Sequence, residues 1–240
     1  SLASSGISGE GVIKLLTGTG KKDHYLVVPV TADRGLCGGF SSNINRETFK
    51  YIKSLEHEGK KVNLITIGKK SRDFFSRLMK DKIIENFIDL GSSGAGYDIA
   101  QQISNKIQKL YNDSEFDVCV IIYNQFKSAM TQTVTHQQLI PLDLNNKESE
   151  NGNKEISDSS VYIYEPDESE ILKDLLPRNV SIQIFKVLLE SNAGEQGARM
   201  VAMDNATRNA GEMIDSLTLK YNRTRQAFIT KELIEIISGA

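Results

Sequence analysis

The hydrophobic positions along this chain follow two rhythms. In the first, short apolar runs alternate with amphipathic stretches. His24 to Thr31 (HYLVVPVT) is β-branched and mostly apolar, the mark of a strand buried on both faces. Beyond the cluster Gly35 to Gly39, Ile44, Phe49, Ile52 and Leu55 recur at roughly helical spacing within 41–58, and Gly59 stops that helix. Val62 to Ile67 (VNLITI) predicts a second strand, 69–80 a short amphipathic helix and 83–88 a third strand. Ile99, Ile103, Ile107 and Leu110 form one stripe of a helix over 97–111. Phe116 to Tyr123 (FDVCVIIY) is the most strand-like run of the chain, and 130–140 alternates polar and apolar as an antiparallel edge strand does. Strands alternating with helices predict a parallel sheet in an α/β layer.

Two segments break this pattern. The opening to Lys22 is rich in Gly and Ser and reads as a loop. From Asp143 to Ser160 the sequence DLNNKESENGNKEISDSS is almost wholly polar, which predicts a mobile, solvated loop before a short strand at Val161 to Tyr164. The expected organisation is a linker over 1–22, an α/β domain over 23–176 and a long helix over 177–240.

The second rhythm belongs to that helix. Pro177 is the final proline, and the 63 residues after it hold only four glycines. Met203, Ala206, Ala210, Met213, Leu217, Thr224, Ala227 and Ile234 follow steps of three and four, with Lys220 and Lys231 in polar slots. A helix from about Ser181 to Ile237 would be roughly 85 Å long, so it must project from the domain. Its small Ala and Thr seats favour close helix-to-helix approach, yet no second heptad segment exists in these residues. Each large side chain buried contributes roughly 1.5–3 kcal/mol. The stripe therefore demands a partner, and without one the helix is expected to fray, self-associate or fold back.

Composition narrows the field without naming a function. A net charge of −2 carries no basic excess for nucleic acid. No apolar run reaches the roughly 18 residues of a membrane span. The first six residues lack a charged region followed by an apolar stretch, so no signal peptide is expected. Starting on Ser1, the sequence is expected to be a processed, engineered or truncated product. Cys37 and Cys119 give neither a disulfide framework nor metal-ligand spacing, and Cys119 reads as a small core residue.

Candidate chemistry centres on Asp33-Arg34-Gly35-Leu36-Cys37-Gly38-Gly39-Phe40. No lysine follows the glycines as a P-loop requires, and the dinucleotide fingerprint fails as well. A tight strand-to-helix turn is the expected role. Arg34 beside Cys37 could activate a thiolate, but no histidine lies nearby in sequence to act as its base. His24, His57 and His136 are scattered, and neither a carboxylate pair nor a nucleophile triad stands out. Arg199, Arg208, Lys220, Arg223, Arg225 and Lys231 line the long helix, either as a solvated face or as contacts to acidic loops of a surrounding protein.

Two segments resemble the gamma subunit of F-type ATP synthases. One is Thr31-Ala32-Asp33-Arg34-Gly35-Leu36-Cys37-Gly38-Gly39-Phe40-Ser41-Ser42-Asn43-Ile44. The other runs from Ala198-Arg199-Met200-Val201-Ala202-Met203-Asp204-Asn205-Ala206-Thr207 through Tyr221-Asn222-Arg223-Thr224-Arg225-Gln226-Ala227 to Ile229-Thr230-Lys231-Glu232-Leu233-Ile234-Glu235-Ile236. Tyr164-Glu165-Pro166-Asp167 matches in order and spacing, so the resemblance covers essentially the whole chain; the polar insert 143–160 is its least typical part.

The resemblance implies a Rossmann-like α/β domain with flanking helices, beside a coiled coil that includes the long carboxy-terminal helix. The coil would sit in a ring of alpha and beta subunits, with its foot, beside an epsilon-type subunit, on the membrane c-ring. The chain would then be a non-catalytic rotor at the cytoplasmic face of a bacterial membrane or the matrix face of the mitochondrial inner membrane, spanning no membrane itself and carrying no cofactor. By motif match, Arg225 and Gln226 would touch a beta-subunit loop, Ile234 and Ile237 the bearing, and Tyr164, Glu165 and Asp167 the foot contact with the c-ring. The family opens with a long helix that pairs with the last one. Since the sequence starts where that helix should end, 1–22 is expected to hold only its remnant. Two rival readings remain open: a nucleotide- or phosphate-binding α/β protein, and a coiled-coil adaptor for other partners.

Overall fold

A computed structural model of the chain describes residues 15–16, 18–89, 96–142 and 168–239, with side chains in the last stretch from Asp174 onward. The predicted polar loop 143–160, the strand at Val161 to Tyr164 and the foot residues Tyr164, Glu165 and Asp167 lie outside the described residues. The elements are β1 (His24–Pro29), α1 (Phe40–His57), β2 (Lys61–Ile67), α2 (Lys69–Leu78), a 3-10 turn (Lys80–Lys82), β3 (Ile83–Phe87), α3 (Tyr97–Asn112), β4 (Val118–Phe126), β5 (Gln132–Ile140) and α4 (Glu168–Ser238).

The strands form one sheet in the order β3-β2-β1-β4-β5. The first four run parallel, and β5 lies antiparallel on the edge, as its alternating sequence predicts. Both faces of the parallel strands are covered, which explains their unbroken apolar runs. On one face Leu26, Val28, Ile65, Ile67, Cys119 and Ile121 meet Ile103 and Ile107 of α3 and Val180, Ile184 and Val187 of α4. The alternate residues Tyr25, Val27, Val62, Leu64, Val120 and Ile122 meet Ile44 and Ile52 of α1 and Phe75 of α2.

At the amino-terminal end of the sheet, Asp117 ties three segments together. Its carboxylate accepts from Thr19 Oγ1 at 2.6 Å and from the backbone N–H groups of Asp23 and His24 at 3.2 and 3.1 Å. The opening segment also departs from a pure loop. Leu15 and Leu16 are helical, and Leu15 is buried in the core on the α3–α4 face.

The long helix differs most from expectation. It runs 71 residues with Pro177 inside it, so it starts well before Ser181. The described side chains explain why: Leu176, Val180, Ile184, Val187 and Leu188 are buried at helical spacing against the sheet. The Pro177 carbonyl accepts from Ser181 Oγ and from Gln108 Nε2 of α3, each at 3.2 Å. Gln183 and the carbonyl of Gly194 bond Gln137 and Gln132 of β5 at 3.0 and 2.7 Å. Gly194 and Gly197 permit this closeness. A Cβ at Gly194 would stand 3.2 Å from the Phe40 ring, and one at Gly197 would stand 3.1 Å from Ala129 Cα.

From Met203 onward every described residue of α4 is exposed. The rod neither frays nor folds back; it stays helical to Ser238. Ion pairs one turn apart, Arg208–Asp204 at 3.1 Å and Lys231–Glu235 at 3.6 Å, add local support.

Candidate functional site

The glycine-rich segment after β1 is built as a helix clamp. Thr31 Oγ1 donates to the Ile67 carbonyl at 3.2 Å and accepts from the Ser71 N–H at 2.9 Å. Asp33 Oδ1 accepts from the Lys69 N–H at 2.9 Å, which caps the first turn of α2 from across the sheet. Gly68 completes the joint: at φ 94° its Cβ position lies 2.2 Å from the Thr31 carbonyl oxygen, so only glycine fits. The segment leads from β1 into α1, as the sequence predicts, whereas these contacts to the end of β2 and the start of α2 were not foreseen. The Cys37 thiol is buried and lies 3.8 Å from the Arg34 carbonyl oxygen. Burial pushes the Cys119 thiol far above its ordinary range.

At the tip of the segment Leu36 adopts φ 63°, a conformation bulky residues seldom hold, and is 74% exposed. Beside it opens a cleft of about 700 Å³ between α1 and α2, which includes Asn45, Arg46, Phe49, Lys70, Phe74 and Arg77 in its lining. Sequence patterning missed this site, because its residues come from two helices and one loop. Their only sequence signal is a pair of aromatic residues, Phe49 and Phe74, on otherwise polar helix faces.

The scattered histidines take structural places. His136 on β5 sets its Nε2 3.7 Å from Glu47 Oε1 and stacks edge-on against Tyr51, both on α1. His57 ends α1, and the His24 N–H belongs to the Asp117 staple. No group of three or more His, Cys, Asp or Glu side chains is arranged for a metal among the described residues, and none of the described helices is long and apolar enough to cross a membrane.

Among the described residues, the rod presents a long unpartnered surface. Among its heptad seats Met213, Leu217 and Ile234 are about 60% exposed or more, rounding 64%, 59% and 60%. Ile214, Leu219, Tyr221, Phe228, Leu233, Ile236 and Ile237 are also exposed, so apolar side chains occur all round rather than along one seam. A helix apolar on every side is normally buried on every side. Arg225 and Gln226 are adjacent and exposed toward the middle of the rod. Ile234 and Ile237 lie near its end, Ile237 being 76% exposed.

Comparison with known proteins agrees with this architecture. A family described as ATP synthase matches residues 6–240. The ATP synthase gamma chain of Rhodospirillum rubrum is 51% identical over 241 aligned positions, covering 100% of this chain and 81% of that one. The Tetrahymena thermophila mitochondrial ATP synthase central stalk and c-ring structure aligns at TM-score 0.60 and 26% identity, over 83% of each chain. A chain of Euglena gracilis mitochondrial ATP synthase, in a structure of OSCP, F1 and c-ring, matches in fold at TM-score 0.65 and 21% identity. That match covers 99% of this chain and 77% of the other. A parallel sheet extended by a rod of these proportions, with a family match across nearly its whole length, leads to one assignment: the chain belongs to the ATP synthase gamma family.

Proposed function

We propose that this chain is the central-stalk rotor of an F-type ATP synthase, itself non-catalytic and peripheral to an energy-transducing membrane. One observation carries the reading: a rod that leaves the α/β domain fully helical and bears large apolar side chains on all sides. Such a rod suits the inside of a ring of alpha and beta subunits, where every face meets protein. The domain at its base would join the epsilon-type subunit and the c-ring. Rotation of that ring then turns the rod, which offers each beta subunit a different face in turn. The coupling is a difference in contact free energy between beta conformations, and it is reciprocal: nucleotide state in beta also biases the angle of the rod.

Within this reading Arg225 and Gln226 meet a beta-subunit loop. An exposed guanidinium with five donors suits a carboxylate on that loop. Ile234 and Ile237 meet the bearing, while Tyr164, Glu165 and Asp167 belong to the foot. Co-expression of the chain with cognate alpha and beta subunits tests the proposal. One copy should join six ring subunits, and Arg225→Ala should weaken the coupling of ATP hydrolysis to proton transport. Failure of the chain to associate with alpha and beta under any condition would overturn the rotor assignment.

A further inference from the structure

We propose that the cleft between α1 and α2 binds an organic polyphosphate with a planar ring, of the nucleoside di- or triphosphate class. This goes beyond the rotor reading and does not depend on it.

Charge carries the first part of the argument. Arg46, Lys70 and Arg77 line the cleft, and among the described residues none of the three is in an ion pair. The cations around them are paired: Lys50 with Glu47, Lys53 with Glu56, Lys69 with Asp89, and Arg72 with Asp73. That last pair occupies Asp73, the carboxylate of the lining, at 2.8 Å. Three exposed cations therefore line one cleft without an ion-pair partner among the described residues. The Lys70 head lies beside the glycine-rich turn, with Nζ 3.9 Å from where a Cβ of Gly35 would stand. Guanidinium and ammonium groups gathered in this way recognise phosphate oxygens.

Size and the remaining lining extend the class from phosphate to nucleotide. A volume of about 700 Å³ matches the sites that hold whole small ligands and far exceeds what one inorganic phosphate fills. Phe49 on α1 and Phe74 on α2 are half-buried and provide apolar ring surface on the two walls. Asn45 is 4% exposed and fixed by its Nδ2, which donates to the Lys70 carbonyl at 3.1 Å. Its Oδ1 accepts no hydrogen bond. That oxygen is itself buried, so Asn45 fixes the wall of the cleft, and the rings of Phe49 and Phe74 are what favour a ligand with a planar base.

Equilibrium dialysis of the purified full-length chain against ADP, pyrophosphate and adenosine tests the proposal. ADP should bind saturably to one site in the micromolar to millimolar range. Arg46→Ala, Lys70→Ala and Arg77→Ala should each weaken it at least fivefold. Pyrophosphate should bind more weakly than ADP, and Lys106→Ala on α3 should change nothing. Circular dichroism of each variant checks its fold. In the assembled complex, azido-ADP should label peptides within 35–49 or 69–78. Absence of saturable ADP binding, ADP binding indifferent to all three cations, pyrophosphate binding as tightly as ADP, or no label on this chain would each overturn the site. The rotor reading would stand in every one of those cases, because assembly with alpha and beta is measured separately.

Discussion

Asp33 and Lys69 stand 36 positions apart, yet the Asp33 carboxylate accepts the backbone N–H of Lys69 at 2.9 Å and so caps a helix in another βα unit. The helix itself begins after Gly68, whose lack of a side chain leaves the first turn without a local cap. A loop residue of the first βα unit thus completes the second.

Asp33→Ala should lower unfolding free energy by about 1 kcal/mol, the usual cost of losing a helix cap. Asp33→Asn keeps an acceptor oxygen and should cost less, losing mainly the charge that favours a helix amino terminus. Urea denaturation of the two variants checks this order.

Gly68→Ala should be far more damaging than Gly59→Ala, although both glycines have positive φ, 94° and 77°. Nothing lies within 4 Å of a Cβ at Gly59, so that change costs about 1 kcal/mol of backbone strain. At Gly68 the Thr31 carbonyl oxygen stands 2.2 Å away, and main chain must move. A loss of at least about 3 kcal/mol is expected there, read from denaturation midpoints of the two variants.

Acid should loosen the base of the sheet through Asp117. Burial by itself would raise this carboxyl, but hydrogen bonds from Thr19, His24 and Asp23 outweigh it and hold the group below its ordinary 3.8. A depressed folded value means the carboxylate stabilises the fold fully above the unfolded value, near 3.9, and loses that contribution as pH falls through the lower folded one. Asp117→Asn should therefore be less stable than the parent at about pH 7, with the gap closing below about pH 4. Parallel urea titrations at the two pH values decide it; a gap independent of pH would contradict the staple.

The rod offers a paired test of its two portions. Gly211→Ala meets open space and should gain up to about 1 kcal/mol of helix propensity. Gly197→Ala gains the same propensity but presses on Ala129 Cα at 3.1 Å, and crowding of this kind costs about 1–3 kcal/mol. Hydrogen exchange should slow around 211 in the first variant, while thermal stability should stay level or fall in the second.

Much of this fold was legible because each parallel strand carries its own signal. Runs such as Leu26 to Pro29 and Val118 to Ile122 are apolar on both faces, so strand identity and the α/β class follow from local composition. Edge strand β5 announced itself by alternation. The start of α4 was misread because Pro177 looked like a boundary, whereas the spacing of Leu176, Val180, Ile184 and Val187 already marks a helix packed on the sheet. The bond from Asp33 to Lys69 and the burial of Leu15 had no local signature, and the cleft between α1 and α2 had only the two separated rings of Phe49 and Phe74. Each depends on residues that meet only after the sheet is ordered.

The proportions of α4 have a mechanical consequence. Residues 176–202 lie along the α/β domain for roughly 40 Å, and 203–238 extend unsupported for roughly 54 Å at 1.5 Å per residue. The helix is thus a lever whose free arm exceeds its seated one. On those lengths a sideways load near the tip is balanced by about 1.3 times as much force at the far end of the seat and about 2.3 times as much at the rim. The reaction concentrates at the rim, where Gly194 and Gly197 sit against Phe40 and Ala129. Stiffness under load is therefore decided at two residues with no side chain, far from the tip that bears the force.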